Sequence, residues 1–339
     1  MKIPVYPDFA AIALDMRPEL HPLLAELPDG VSEFTFAGLF LFRHEYRYEI
    51  SRTPGGFVLG RGEKHGRSFA VLPQGLPPGD DGRELLSRLL AEYDYIRGFP
   101  ERLLHTHLEV LREQGVWAAA DRDNYDYLYD RQDMAELAGK RFHKKRNLIH
   151  NFERTYPEHE AIPFTSEHTG AALQVLERWR SQVQIEGDYR EAREAIELRE
   201  QLELSGNVVC IAGTPAAYAL GETLAGGRSY VIHVEKGDHE CKGIYQFIFR
   251  ELVRSLPAGI ETINREQDVG DVGLRQAKLT YRPTGYTRKF QLWQHNPPGF
   301  PAEAIALSPE QPELQIPDDN ELEAALQASA ETGSAAAGT

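Results

Sequence analysis

VVCIAGTPAAYALGETLAGGRSYVIHVEKGDHECKGIYQFIF, residues 208–249, is the segment from which we predict the architecture. Its β-branched and aromatic residues fall into three groups, and we predict strands over Val208–Ala212, Ala216–Leu224 and Ser229–Val234. Gly-Thr-Pro at 213–215 and Gly226-Gly227 are turn sequences, so the three strands are expected to form an antiparallel meander. The polar loop EKGDHECKG then leads into an apolar helix over Ile244–Leu252.

The segments that follow the meander alternate between strand and helix patterns. We predict a strand, a helix and a final strand over Glu261–Asn264, Leu274–Leu279 and Thr287–Trp293. This is the order of the acetyltransferase-like (GNAT) fold, which has three antiparallel strands followed by a helix, a strand, a helix and a last strand. The first half of the chain has a comparable mixture, including a helix over Pro100–Gln114 and a short strand over Asp126–Tyr129, and a charge-laced helix over Tyr189–Leu204 precedes the meander.

The composition is that of a globular protein. The chain has 339 residues, 41% hydrophobic and 26% charged, with a formal net charge of −15. This length suggests two domains and the composition excludes a disordered or collagen-like chain. No window predicts a transmembrane helix, and the first residues lack the apolar core of a signal peptide. With two cysteines, Cys210 and Cys241, we expect a cytoplasmic protein, with peripheral attachment to a membrane left open.

Four separated blocks of sequence resemble one family. They read EFTFAGLFLFR at 33–43, GKRFHKKRNLIHNF at 139–152, HVEKGDHECKGIYQ at 233–246 and NREQDVGDVGLRQAKLTYRP at 264–283. In this order they resemble the DUF2156 family, the soluble relatives of the C-terminal domain of phosphatidylglycerol lysyltransferases. The resemblance implies an α+β fold of two tandem GNAT-like domains, with mixed central sheets flanked by helices. It also implies transfer of an aminoacyl group from aminoacyl-tRNA to the hydroxyl of a lipid headgroup.

We therefore predict three parts in the chain. Residues 1–160 are the N-terminal GNAT-like domain, residues 161–300 the C-terminal one, and residues 301–339 an acidic, largely disordered tail. The tail contains eight Asp and Glu residues and no Lys or Arg.

Aminoacyl transfer requires a base for the acceptor, a group that holds the donor ammonium and a cation that stabilises the oxyanion. Asp268 and Glu266 lie on a glycine-rich loop and Arg275 on the helix after it, so these three residues are the predicted catalytic groups. Asp268 would orient the ammonium or act as base, and Arg275 would hold a phosphate or the oxyanion. The alternative is that Asp268 caps the next helix and that Asn264 and Arg265 close an ion pair. On the catalytic interpretation, Asp268→Ala abolishes transfer with almost no change in melting temperature.

Further side chains around this loop are candidates for binding the substrate: Asn264, Arg265, Lys278, Tyr281, Glu235, Lys236, Tyr245 and Trp179. Trp179 is included by family analogy, with a core position as the alternative. GNAT enzymes that use acetyl-CoA hold its pyrophosphate on a Q/R-x-x-G-x-G/A turn. Here Glu240 begins that turn and Tyr245 ends it, which disfavours acetyl-CoA and leaves it as the alternative donor.

The second candidate surface is basic. Residues 139–154, GKRFHKKRNLIHNFER, hold six Lys or Arg against one Glu, and the apolar spacing predicts an amphipathic helix. The predicted nucleic-acid-binding residues are Arg141, His143, Lys144, Lys145 and Arg146, which would dock tRNA. The alternative is a solvated helix face that balances an acidic body.

No metal site or bound cofactor is predicted, because the histidines lack the spacing of a zinc site. Hydrolase, P-loop and dinucleotide-binding motifs are also missing from the sequence. Three hypotheses follow: an aminoacyl-tRNA-dependent transferase acting on a lipid or small-molecule acceptor, an acyl-CoA-dependent N-acyltransferase, and a non-catalytic GNAT-like binding module.

Overall fold

The structure is a computed structural model and describes residues 2–183, 187–296 and 304–308. In these residues the strands are β1 Ala10–Ala11, β2 Glu49–Arg52, β3 Val58–Lys64, β4 Arg67–Val71, β5 Tyr95–Pro100, β6 Trp117–Ala120, β7 Asp126–Asp130, β8 His159–Pro163, β9 Ser205–Ile211, β10 Thr214–Leu224, β11 Ser229–Gly237, β12 Thr262–Asn264, β13 Gly285–Thr287, β14 Lys289–Trp293 and β15 Ile305–Ala306.

The helices of the same residues are α1 Arg17–Ala25, α2 Phe36–Leu41, α3 Arg43–Tyr46, α4 Asp80–Glu92, α5 Glu101–Thr106, α6 Leu108–Glu113, α7 Arg131–Glu136, α8 His143–Thr155, α9 Thr169–Gln182, α10 Tyr189–Glu197, α11 Arg199–Leu202, α12 Ile244–Ser255 and α13 Val272–Leu279.

Two compact units divide the chain, and neither is continuous in sequence. The first contains Ala10–Tyr48 and Asp126–Thr287, and the second contains Pro4–Phe9, Glu49–Tyr125 and the described residues from Arg288 onward. These units do not coincide with the predicted ranges 1–160 and 161–300, because β7 pairs with β12 and β13 in the sheet of the first unit.

The first unit is built on a mixed sheet of order β13-β7-β12-β11-β10-β9-β8. The predicted meander is confirmed, since β9, β10 and β11 pair antiparallel, and α12 then connects β11 to its parallel neighbour β12. A parallel pair needs such a crossover connection. The core of this unit packs α8 and α12 against the sheet through Ile149, Phe152, Phe247 and Ile248.

The second unit repeats this order in its own sheet. Its strands run β2-β3-β4-β5-β14-β6-β15, with β2, β3 and β4 antiparallel and β5 parallel to β4 after the helix α4. Each unit thus has an antiparallel meander, a helix and a parallel strand, which confirms the predicted α+β class of two GNAT-like units with mixed sheets flanked by helices.

Three sequence predictions are corrected. The helix predicted over Pro100–Gln114 is two helices that meet at His107, and the helix predicted over Tyr189–Leu204 is interrupted at Leu198. The final strand predicted over Thr287–Trp293 is split at Arg288, because β13 pairs in the sheet of the first unit and β14 in that of the second. The alternating tyrosines Tyr125, Tyr127 and Tyr129 are fully buried.

Candidate active site

The candidate site lies where β11 and β12 separate in the first unit. Their parallel pairing ends at Val231 and Asn264, whereas β11 continues to Gly237. Beyond Val231, β11 remains paired with β10 along one edge, and its other edge adjoins the loop that follows β12. We define the site loop as residues 265–271.

A β-bulge in β11 sets the direction of the side chains at this opening. Leu220 of β10 pairs with Val234 and Gly221 with Ile232, which leaves His233 as the extra residue. A bulge re-aims the side chains that follow it, and such bulges are common beside functional sites. Glu235 is thereby placed opposite Ala219, a residue of the core that packs against α8 and α12.

Glu235, Arg265, Lys145 and Tyr281 meet on this face, and we call them the cation cluster. The Arg265 Nη2 donates to both carboxylate oxygens of Glu235, at 3.2 and 3.3 Å. The guanidinium lies 5.1 Å from the centre of the Tyr281 ring, and the Lys145 Nζ lies 3.8 Å from the same centre. Two cations thus share one aromatic ring and one carboxylate.

Burial and like charge determine the electrostatics of the cation cluster. Burial, together with the nearby Arg265, lowers the pKa of Lys145 to about 8, and Glu235 only partly opposes this. Burial also raises the pKa of Glu235, against the attraction of Arg265. Since the protonated cluster carries two positive charges against one negative charge, it is suited to receive an anionic group.

Lys278 fixes the backbone of the site loop. Its Nζ donates to the carbonyl oxygens of Arg265 at 2.7 Å and Glu266 at 3.1 Å, and to that of Gln267. An ammonium has three protons, so all of its donor capacity is used within the protein. Lys278 was predicted to bind substrate, and in the structure it holds three consecutive carbonyls of the loop.

Asp268 and Arg275 form a second fixed point of the loop. The carboxylate accepts from the Arg275 Nε and Nη2 at 2.9 and 2.7 Å, from the Tyr127 hydroxyl at 2.6 Å and from the Gly270 amide at 2.9 Å. Burial alone would raise the pKa of Asp268, but these hydrogen bonds outweigh it and lower the pKa. The geometry favours a positioning role, and the catalytic roles expected of this pair stay predictions.

Asn264 anchors the end of β12. Its amide nitrogen donates to the Gly30 carbonyl at 3.0 Å and to the Asp126 carboxylate at 3.1 Å, and its oxygen accepts from the Glu266 amide at 2.8 Å. The residue is fully buried. It therefore supports the loop from beneath rather than facing a substrate.

His233 and Glu222, which hold the Glu266 side chain, were not predicted from the sequence. His233 Nδ1 lies 2.7 Å from Glu266, and His233 Nε2 lies 3.0 Å from Glu222 of β10. Burial acts to lower the pKa of His233, but the hydrogen bonds to the two carboxylates outweigh it and raise the pKa to about 10. The available signal was Glu222 itself, a carboxylate inside the otherwise apolar segment YALGETL.

Lys236 and Trp179 meet on the opposite face of β11. The Lys236 Nζ binds both oxygens of Asp188 at 2.6 and 2.8 Å and lies 4.2 Å from the centre of the Trp179 ring. Successive strand residues point to opposite faces, so this pair is separated from Glu235 by the sheet. The structure therefore brings together two of the predicted substrate-binding residues at a place distinct from the cation cluster.

The turn before α12 is closed by its own side chains. The Tyr245 hydroxyl donates to the Gly237 carbonyl at 3.0 Å and accepts from the Gly237 amide at 3.2 Å. Gly243 packs so closely against α8 that a Cβ there would lie 2.4 Å from the Leu148 carbonyl oxygen. The start of α12 is therefore closely packed, and the choice between acetyl-CoA and aminoacyl-tRNA as donor stays a prediction.

The predicted nucleic-acid-binding residues take different positions on and before α8. Arg141, His143 and Lys144 are exposed, with Arg141 paired to Asp133 at 2.5 Å. Arg146 donates to the carbonyl oxygens of Leu137 and Gly139, directly after the C-terminal end of α7. Lys145 turns inward to the cation cluster.

Within 2–183, 187–296 and 304–308, no group of three or more His, Cys, Asp or Glu is arranged to hold a metal ion. In the same ranges, no helix has the length and apolar character needed to cross a bilayer.

Comparison with known proteins gives consistent matches. The family described as "Phosphatidylglycerol lysyltransferase, C-terminal" matches residues 24–292. A conserved protein of unknown function from Bacteroides thetaiotaomicron is 26% identical, with a TM-score of 0.74 over 84% of this chain and 98% of that chain.

Two further solved structures share the fold at lower identity. One is the C-terminal domain (DUF2156) of a protein described as a lysylphosphatidylglycerol synthetase from Agrobacterium fabrum, with 15% identity and a TM-score of 0.56 over 84% of this chain and 93% of that chain. The other is L-PGS from Bacillus licheniformis, with 14% identity and a TM-score of 0.51 over 81% of this chain and 94% of that chain.

Proposed function

Since this chain belongs to the family of phosphatidylglycerol lysyltransferase C-terminal domains, we propose that it transfers an aminoacyl group from aminoacyl-tRNA to a hydroxyl of a lipid or small molecule. The observation that carries the proposal is the cation cluster. It combines a half-buried ammonium and a guanidinium beside one carboxylate at the opening between β11 and β12.

The helix α8 connects this cluster to a surface suited to RNA. Lys145 turns inward from the first turn of α8, while His143 and Lys144 of the same turn are exposed. Cationic side chains bind the phosphate backbone without reading sequence. A tRNA held by the exposed residues would direct its terminal ester toward Lys145.

The chemistry of the cluster matches the demands of ester exchange. The acceptor hydroxyl oxygen attacks the ester carbonyl carbon, and its proton passes to Glu235. The raised pKa of Glu235 makes this carboxylate a stronger base than an ordinary one. Lys145 and Arg265 stabilise the negative charge on the carbonyl oxygen of the tetrahedral intermediate. The bond to the ribose oxygen then breaks, and that oxygen takes the proton back from Glu235.

Two variants test the proposal by separating binding from chemistry. Lys144→Glu should weaken binding of aminoacyl-tRNA about 10-fold at low salt, with a smaller loss at high salt, because it repels phosphate. Lys145→Met keeps the length of the side chain but removes its charge, and should lower the rate of transfer to extracted lipid about 100-fold. In the unaltered protein, transfer should decline as the pH rises above about 8, because Lys145 then loses its proton.

Arg154→Glu is the matched control for binding, since Arg154 is exposed at the other end of α8. Equal losses for Lys144→Glu and Arg154→Glu would contradict docking at the first turn of the helix. Binding of acetyl-CoA without binding of tRNA would make the protein an ordinary acyltransferase. Failure of both ligands to bind would favour a binding module without turnover.

A further inference from the structure

The segment after Asp268 exposes an unusual amount of apolar surface. Val269, Val272 and Leu274 are 58%, 80% and 40% exposed. In the part of the chain that the structure describes, the other large hydrophobic side chains classed as exposed are Val5 and Leu23, which lie far away in sequence. We call residues 269–274 the apolar tip.

The apolar tip is held in shape by polar contacts, although its apolar side chains are largely exposed. The carboxylate of Asp268 fixes its start through Arg275 and Gly270, and the Asp271 carboxylate accepts from the Leu274 amide at 2.6 Å as the N-cap of α13. Val269 has a φ of 51°, a left-handed conformation that is costly for a β-branched residue. The fold thus keeps a strained and exposed valine at a rigid position, where an asparagine or glycine would be easier to accommodate.

We propose that the apolar tip inserts into the surface of a lipid bilayer and brings the candidate active site to it. Three side chains expose roughly a few hundred Å². That is below the roughly 800 Å² that each partner contributes to a standard protein interface, but it suffices for weak and reversible insertion at the boundary between headgroups and acyl chains. A second copy of the chain or another protein would need a wider apolar surface than the tip provides.

The charges at the tip point to insertion driven by apolar burial. Residues 269–274 contain no Lys or Arg, and the one ionisable side chain among them is Asp271, whose exposed carboxylate accepts from the Leu274 amide as the N-cap of α13. Bilayer binding should therefore not require anionic lipid and should persist at high salt. Insertion of the tip does not depend on the proposed function. Only the purpose of the insertion, which is to present a lipid hydroxyl to the cation cluster, rests on that function.

The test is flotation of the full chain with vesicles of phosphatidylcholine, with and without phosphatidylglycerol, at 50 and 500 mM salt. The protein should float with both vesicle types at both salt concentrations. Val272→Asp should reduce the floated fraction at least fivefold, and Val272→Trp should increase it and shift the indole emission to the blue. Leu23→Asp is the matched control, since Leu23 is 43% exposed outside the tip, and it should float like the unaltered protein.

Equal flotation of Val272→Asp and the unaltered protein, or flotation that needs anionic lipid and is lost at 500 mM salt, would overturn the proposal. So would concentration-dependent dimerisation that Val272→Asp abolishes, because the tip would then be a contact between copies. Val272→Asp should leave tRNA binding unchanged, and Lys144→Glu should leave flotation unchanged. A failure of bilayer docking is thereby distinguished from a failure of the proposed transfer.

Discussion

His233 is the residue whose chemistry depends most on the fold around it. Its pKa is raised to about 10 from an ordinary 6.5, because both ring nitrogens face carboxylates, those of the buried Glu222 and the partly buried Glu266. A pKa raised on folding stabilises the native state fully below the unfolded value, and this contribution is lost as the pH rises through the folded value. His233 should therefore stabilise the protein most below pH 6.5 and least above about pH 10.

We expect His233→Gln to lower the free energy of unfolding by about 3–5 kcal/mol at pH 6, because it removes the hydrogen-bonded cation between the buried Glu222 and the partly buried Glu266. The difference between the two proteins should shrink steadily toward pH 10. Urea unfolding at pH 6, 8 and 10 measures it. Lys145 and Lys278 have pKa values lowered to about 8 and act in the opposite direction, but they are present in both proteins and cancel in the difference.

His143→Gln is the control, because His143 is exposed on α8 and should change stability little at any pH. A loss in His233→Gln that is the same at all three pH values would mean that the imidazole is neutral in the native state. Glu222, His233 and Glu266 would then be held by packing and neutral hydrogen bonds rather than by charge.

The direction in which a side chain points was predictable from the sequence only where helical spacing determines it. Lys145 lies three residues after Phe142, four before Ile149 and seven before Phe152, so the spacing of the buried residues of α8 already places it on the inner face. Asp268 was not predictable in this way, because the hydroxyl that it accepts from belongs to Tyr127, 141 residues earlier. Its four hydrogen bonds also imply that Asp268→Ala destabilises the protein, contrary to the sequence expectation.

At the scale of elements, the packing of α12 against α8 determines the shape of the site. Gly243 has a φ of 95°, and a Cβ there would lie 2.4 Å from the Leu148 carbonyl oxygen. We expect Gly243→Ala to lower the free energy of unfolding by about 2–4 kcal/mol, from backbone strain and from forced separation of the helices. Thermal unfolding followed by circular dichroism measures the change.

Gly213→Ala separates these two causes. Gly213 also has a left-handed φ, of 75°, but nothing lies within 4 Å of the place that a Cβ would occupy. It should lose only about 1 kcal/mol, the cost of the backbone conformation alone. Equal losses at the two glycines would mean that α12 does not pack against α8 as described.

Most elements of the first unit were predictable, and the register between them was not. Turn residues and apolar spacing predicted β9 to β11, α8 and α12 to within a few residues, because both signals are local. The bulge at His233 shifts one strand by one residue against β10, which sequence spacing does not reveal. Since that shift aims Glu235 at the cation cluster, the candidate site depends on a detail that only the three-dimensional structure supplies.

At the scale of the molecule, the repeated order of strands and helices was foreseen, but the discontinuous composition of the two units was not. Consecutive strands pair through short turns, which makes a meander readable from sequence. The pairing of β7 with β12 joins segments more than 130 residues apart, and no local pattern encodes such a contact. Charge at this scale, by contrast, follows from composition alone.

The whole-molecule charge leads to a prediction about tRNA binding. Residues 309–339 contain seven Asp or Glu and no Lys or Arg, and ending the chain at Ser308 changes the formal net charge from −15 to −8. The predicted acidic tail, 301–339, lies outside the described residues except for 304–308. We expect the shortened chain to bind tRNA about 3–10-fold more tightly at 50 mM salt, because less negative charge repels the phosphates.

The gain should vanish at 500 mM salt, where the Debye length is only a few Å. A full-length variant with the seven acidic residues changed to Gln or Asn separates charge from length and should bind like the shortened chain. A gain that persists at high salt, or that appears only on shortening, would mean that residues 309–339 obstruct the RNA surface sterically. A gain that vanishes at 500 mM salt would instead assign residues 309–339 an electrostatic role in limiting binding to RNA. The exposed cations of α8 alone would then hold the donor tRNA.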